Sequence, residues 1–241
     1  MASCKVCGGE CGLALEDLAT SQASKRASPL DWGSLRRLAP ISQVWGLDRG
    51  LPIDRYYIHG FLERHRSDIR GRALEVKEPA YTYLYGEGVE SSEVVDVATD
   101  NPLATLVADL GRPETLPASS YDCFVLTQTI HIIYDVPQVV ANAYQALRPG
   151  GVLLASLPCV SRIDPEAGLE SDFWRFTVAS AKRLFEPVFG KDNLQITSFG
   201  NMLACVGFLL GIAAEELTPE ELDSRDPAFP LIVCVRARKP D

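Results

Sequence analysis

The sequence has no apolar run long enough to span a bilayer. Its longest, Met202 to Ala214, is interrupted by glycines and falls short of the ~20 residues a spanning helix needs. The first twenty residues show no charged start leading into an apolar stretch and a cleavage site, so no secretory leader is expected. Bases are scarce as well. The 23 Lys and Arg against 32 Asp and Glu give a formal net charge of -9. Between positions 121 and 180 only Arg148, Arg162 and Arg175 are basic. Non-specific nucleic-acid binding runs on counterions displaced by Lys and Arg, so that class is excluded, and neither a nucleic-acid nor a membrane partner is expected. There is no phosphate-cradling Gly-Lys loop, no Ser-His-Asp series, no internal repeat and no long low-complexity tract.

What is present suits a globular domain. Hydrophobic residues make up 46% of the 241 positions, enough to bury a core. Residues 1–45 are irregular and rich in Ser, Ala, Gly and bases around Ser21 to Pro29, which reads as an extension and linker. Residues 46–241 read as one α/β domain. Tyr56, Tyr57, Phe61 and Leu62 fall at helical spacing. Short apolar runs at 72–76, 94–97, 105–108, 122–126 and 151–157 then read as strands, with late strands at 194–199 and 231–237. Between them, Val139, Val140, Ala143 and Leu147 mark an amphipathic helix from Val136, which Arg148-Pro-Gly-Gly151 is expected to stop and cap. Thr177 opens another helix, and Thr218-Pro219 with Glu221 form a capping box before a solvated acidic face. Met202 to Ala214 reads as a core element or a subunit interface, which leaves a homo-oligomer open. Strands alternating with helices imply crossovers and a mostly parallel, doubly wound seven-stranded sheet. Ligands of such sheets bind beyond the carboxyl ends of the strands.

One segment carries more. Residues 121–158 place Asp122 at the start of a strand, a polar stretch after it, and Leu147-Arg-Pro-Gly-Gly151 before the next strand. This resembles the class I S-adenosylmethionine-dependent methyltransferases, and the likeness extends over roughly 52–239. It implies a Rossmann-like fold, S-adenosylmethionine as methyl donor and a small-molecule acceptor. The Asp54-Arg-Tyr-Tyr57 and Asp172-Phe-Trp-Arg-Phe-Thr177 stretches are similar to a bacterial subgroup found beside sugar or natural-product biosynthesis. By the same resemblance Glu75 matches the acid after the first strand, with Val76 beside it, and Asp109 with Leu110 lie where the family contacts adenine.

Two positions depart from the family's pattern. The family follows its first strand with Gly-x-Gly-x-Gly, whose glycines let the backbone approach the donor. Here Lys77 stands at the first glycine and Pro79 follows. A side chain there is expected to narrow the cleft, and its charge to repel a sulfonium unless Glu75 or Glu78 neutralises it. At the end of the second strand Ala98 occupies the site of the ribose-binding acid, with Asp96 and Asp100 as substitutes on the same face; Asp96 is favoured. These departures motivate a second reading: a methyltransferase fold that has lost methyl transfer and runs another reaction or acts as a binding scaffold.

His131 follows the fourth strand and is the candidate proton acceptor, with helix packing as its alternative. Thr127 and Gln128, at the same strand end, are candidates for hydrogen bonds to donor or acceptor. Trp174 and Arg175 are candidates for an acceptor pocket; otherwise Trp174 anchors a loop and Arg175 pairs with Asp172. Tyr56 and Tyr57 either lid the cleft or pack in the core. Cys4, Cys7 and Cys11 are candidate zinc ligands, three soft donors where structural zinc takes four; a frayed, reduced terminus is the alternative. The scattered Cys123, Cys159, Cys205 and Cys234 read as small buried hydrophobes of a reducing compartment, so a cytoplasmic protein is expected.

Overall fold

The computed structural model describes residues 33–241, so Cys4, Cys7 and Cys11 lie outside the described residues. One compact unit runs from Pro40 to Asp241. Of the preceding unit, Met1–Ala39, the described part contains a single 3-10 turn at Gly33–Leu35.

Seven strands form one sheet: β1 Gly71–Val76, β2 Val89–Asp96, β3 Leu106–Val107, β4 Tyr121–Thr127, β5 Leu147–Pro158, β6 Leu194–Phe199 and β7 Ile232–Arg238. Their order is β3-β2-β1-β4-β5-β7-β6. The first five are parallel, whereas β7 runs antiparallel between β5 and β6. The chain leaves β1 toward one edge and returns at β4 toward the other, so the switch point lies between β1 and β4.

Alternation along β4 builds a core on each face of the sheet. Phe124 and Leu126 join Leu74, Leu153, Val235 and the inward faces of α3 (Val136–Ala146) and α4 (Val178–Phe189), including Val140 and Phe185. Cys123 and Val125 point the other way, to Ala73, Leu154, Cys234 and the buried Ile58, Phe61 and Leu62 of α1 (Ile53–Arg64). That face also holds α5 (Met202–Leu210), which buries Ala204, Cys205 and Phe208 but exposes Met202, Leu203 and Leu209. The Met202 to Ala214 run is therefore a one-sided helix rather than a wholly buried one. Burial pushes the Cys123 and Cys234 thiols well above the usual range. No helix among the described residues is long and apolar enough to cross a membrane.

Two local readings change. The helix α3 ends at Ala146 with Leu147 already extended, so the Arg148–Gly151 turn does not cap it. The turn is instead a bulge at the start of β5, between the Tyr121–Leu147 and Cys123–Val152 pairs. Gly150 sits at φ +77°, and a Cβ on Gly151 would come within 3.0 Å of the Tyr121 carbonyl. The other change is α2 (Ala80–Tyr85), a short helix directly behind Pro79 that the apolar pattern did not announce. Elsewhere the sequence signals hold. Thr177 caps α4 reciprocally with Ser180, and Thr218 caps α6 (Pro219–Asp223) reciprocally with Glu221.

Candidate functional site

A cleft of ≈ 550 Å³ opens beyond the carboxyl ends of β1, β4 and β5. That size falls within the ~300–1,000 Å³ of small-molecule sites. Its floor is made by the strand ends, Glu75 to Lys77, Thr127 to Thr129 and Pro158; one wall comes from Trp45 and from Asp54, Arg55 and His59 of α1, the other from Ser161 to Glu166.

The turn after β1 decides whether the cleft is open. Lys77 adopts φ +69°, the left-handed conformation that glycine takes without cost. The chain therefore keeps the turn geometry of a glycine while carrying a lysine. The side chain does not fill the crevice: it is 74% exposed and reaches the rim, where Nζ meets Glu166 at 3.3 Å. Its charge is thus partnered at the edge rather than centred over the floor. Pro79 stands outside the cleft lining as the residue that starts α2.

Glu75 is buried, and its two oxygens accept the backbone N–H groups of Tyr81 at 3.0 Å and Thr82 at 2.7 Å. It thereby caps the first turn of α2, which has no capping side chain of its own. Burial raises its pKa and these bonds pull it back.

At the end of β4, Gln128 is also left-handed, at φ +46°, and its N–H is held by the Ser156 carbonyl at 3.2 Å and hydroxyl at 3.0 Å. This strained seat aims the Gln128 amide at Asp54, 3.4 Å away. Asp54 is buried in the first turn of α1, and burial raises its carboxyl pKa. Beside it, Arg55 donates to the Tyr81 hydroxyl at 3.2 Å. His59 pairs with the Tyr85 hydroxyl.

His131 lies in a 3-10 turn, Ile130–Ile132, at the cleft edge. Its carbonyl accepts the N–H groups of Phe173 and Trp174, yet its buried Nδ1 has no partner among the described residues. Burial lowers its pKa, with Asp172 opposing and Arg175 reinforcing the shift. Burial thus favours the neutral ring, the form that can accept a proton.

The structure thus gathers Glu75, Val76, Lys77, Thr127, Gln128 and His131 around one cleft. Other candidates sit outside its lining. Tyr56 bonds Asp223 through its hydroxyl at 3.0 Å, and the neighbouring Tyr57 packs against Phe199. Asp96 accepts from Ala98 N–H at 3.0 Å and from the Asn101 amide at 2.7 Å, tying down the loop after β2. Asp109 accepts from Gly111 N–H and pairs with Arg112, while Leu110 is buried in the core. Trp174 donates to the Tyr134 carbonyl at 3.2 Å. Arg175 grips both oxygens of Asp172, at 2.5 and 2.8 Å, and donates to the Arg162 carbonyl at 2.7 Å. Asp54, Arg55, Trp45 and Arg162 were not singled out as site residues from the sequence. Only long-range packing brings 45–55 and 161–166 to the strand ends. Among the described residues, no group of three His, Cys, Asp or Glu is placed to hold a metal ion.

Lys77 lines the cleft but points its ammonium to Glu166 at the rim, and Pro79 stands outside the lining, so neither closes the opening above the strand ends. Comparisons with known proteins agree on the architecture. The methyltransferase domain family matches residues 87–155. No curated protein matches the sequence. Among solved structures, an S-adenosylmethionine-dependent methyltransferase from Mesorhizobium loti is 18% identical with TM-score 0.52, covering 80% of this chain and 100% of that one. A chain from the complex of the Haloferax volcanii Trm112 methyltransferase activator and its methyltransferase is 15% identical with TM-score 0.51, covering 78% of this chain and 92% of that one. A phosphoethanolamine N-methyltransferase from Haemonchus contortus, bound to S-adenosyl-L-methionine, is 14% identical with TM-score 0.51; the match covers 87% of this chain and 55% of that one. At such identities the likeness establishes a shared fold.

Proposed function

We propose that this chain belongs to the class I S-adenosylmethionine-dependent methyltransferase superfamily and transfers a methyl group to a small-molecule acceptor held in the β1–β4–β5 cleft. A sugar or natural-product intermediate is the acceptor class. The observation that carries this reading is the turn at Lys77, which keeps a glycine-like backbone and sends its side chain to Glu166 at the rim.

S-adenosylmethionine supplies an activated methyl group on a positively charged sulfur. The chain's own residues do the rest. Gln128 and Thr127 offer hydrogen bonds at the strand end, and the buried Asp54 and half-buried Arg55 give a carboxylate and a guanidinium for the donor's ammonium and carboxylate. His131 takes the acceptor's proton at its neutral imidazole, a role suited to its lowered pKa. The walls from α1 and from 161–166 exclude water, and alignment of acceptor and methyl group is their main contribution.

Calorimetric titration with S-adenosylmethionine and S-adenosylhomocysteine tests this. Saturable heat at micromolar ligand is the expected outcome. Silence up to millimolar ligand favours the second reading, a fold that has lost methyl transfer.

A further inference from the structure

We propose that the cleft wall formed by Arg162 and Trp45 seats an anionic group, phosphoryl or carboxylate, on the methyl acceptor; this rests on the methyltransferase reading and names its substrate class. The Arg162 guanidinium carbon lies 4.2 Å from the centroid of the Trp45 ring. Among the described residues its guanidinium makes one hydrogen bond, a long one of 3.3 Å to the Gln43 side chain, and its buried Nε has no partner. No carboxylate among the described residues stands at ion-pair distance from it. The acids on the same loop are engaged elsewhere: Asp164 accepts the Glu166 N–H at 2.9 Å, and Glu166 meets Lys77.

A half-buried guanidinium without a counter-charge is costly unless something supplies one. The surroundings hold it in place rather than letting it swing to solvent. Arg175 anchors the Arg162 carbonyl at 2.7 Å and is itself locked by Asp172. Beneath it, Trp45 is kept at φ +56° by a turn in which the Ser42 hydroxyl accepts the N–H groups of Val44 and Gly46, at 3.1 and 2.9 Å. Strain of that kind in an aromatic residue survives only where packing over-determines it. Two residues of one loop therefore divide the work. Arg175 is saturated by protein groups and fixes the backbone, while Arg162 is left with unused donors inside the cleft. A guanidinium fork matches the geometry of phosphate and carboxylate oxygens, and the same positive charge disfavours a cationic acceptor.

Trp45 provides the readout. Inorganic phosphate and sodium acetate are titrated into the full chain at fixed ionic strength while intrinsic fluorescence is followed, with Trp45→Phe to isolate the Trp45 signal. A saturable change is expected with at least one anion, and the tighter of the two names the acceptor's group. Arg162→Gln is expected to weaken it about tenfold, the loss of one charged hydrogen-bonding partner, while S-adenosylhomocysteine affinity by calorimetry stays within about threefold. Arg162→Lys, which keeps charge without the fork, is expected to fall between. No response up to about 50 mM of either anion overturns the proposal, as does an unchanged response in Arg162→Gln. Equal loss of S-adenosylhomocysteine binding in that variant overturns it too, since Arg162 would then serve the donor. Failure of the wild-type chain to bind S-adenosylhomocysteine refutes the methyltransferase reading alone, whatever the anions do.

Discussion

The two edges of the sheet handle their arginines differently. At the amino-terminal edge of the parallel strands, Arg236 grips Asp68 at 2.7 and 2.8 Å, Arg148 meets Asp122 at 2.9 Å, and Arg238 meets Asp241 at 2.8 Å. At the carboxyl edge, Arg55 and Arg162 have no carboxylate at ion-pair distance among the described residues; a tyrosine hydroxyl, a glutamine and an indole face are their neighbours. The same edge holds the unpartnered Nδ1 of His131 and the loosely bonded Asp54. One edge has settled its charges internally and serves the fold. The other pairs some of its charges, as in Arg175 with Asp172, but leaves Arg55, Arg162 and the His131 Nδ1 unanswered among the described residues, which is what a binding edge requires.

Three changes break or sharpen this contrast. The largest effect is expected from His131→Gln, which keeps a polar side chain but cannot take a proton. Turnover is expected to fall about 100-fold or more, with stability shifting by less than about 1 kcal/mol because the ring makes no hydrogen bond among the described residues. Since burial lowers the His131 pKa, the acidic limb of kcat/KM in the wild type should lie below the usual histidine range. That acidic limb should vanish in the variant. A profile that keeps the limb assigns the proton to another group.

Next comes the quiet edge. Asp68→Asn leaves Arg236 without its counter-charge in a mostly buried position, and a loss of about 2 kcal/mol is expected in urea melts at pH 7. Arg236 and His65 hold the Asp68 carboxyl well below the usual range. The stabilisation is therefore complete above the unfolded-state pKa near 4. It disappears as pH falls through the lowered folded value, so wild type and variant should converge in acid. Equal melting curves at pH 7 would mean the pair contributes nothing.

The smallest effect belongs to Lys77→Gly. The backbone already sits where glycine is relaxed, so relief of left-handed strain and the entropy of glycine nearly offset each other. A change within about 1 kcal/mol is expected, with S-adenosylhomocysteine affinity retained. Lys77→Val, β-branched at φ +69°, should be the less stable of the two in the same melts. A large gain of affinity in Lys77→Gly would show that the lysine obstructs the cleft after all.

Much of the frame was legible in the sequence because it is written in local periodicity. The short apolar runs at 122–126 and 151–157 and the Thr177 and Thr218 helix starts follow from patterns a few residues long. The floor of the cleft was legible for the same reason, since Thr127, Gln128 and His131 follow a strand directly. Its walls were not. Trp45 and Arg162 are 117 positions apart in sequence and meet only after α1 and the 161–166 loop have packed. Nor could residue types reveal that Lys77 would turn left-handed, because glycine is the residue that ordinarily signals that conformation. Glu75 shows a further limit: an acid at a strand end reads as a ligand contact, while here both oxygens cap a helix that Pro79 had hidden.

The placement of Cys123 on β4 and Cys234 on β7, the two strands that flank β5, both fully covered, gives the chain an internal clock. A thiol that is closed to solvent and poorly ionised reacts with an alkylating reagent only when the strands around it separate. Mass-spectrometric labelling of these two sites against half-buried Cys159 would therefore time whole-domain opening separately from breathing at the cleft mouth, and a bound ligand would slow the first in proportion to its affinity.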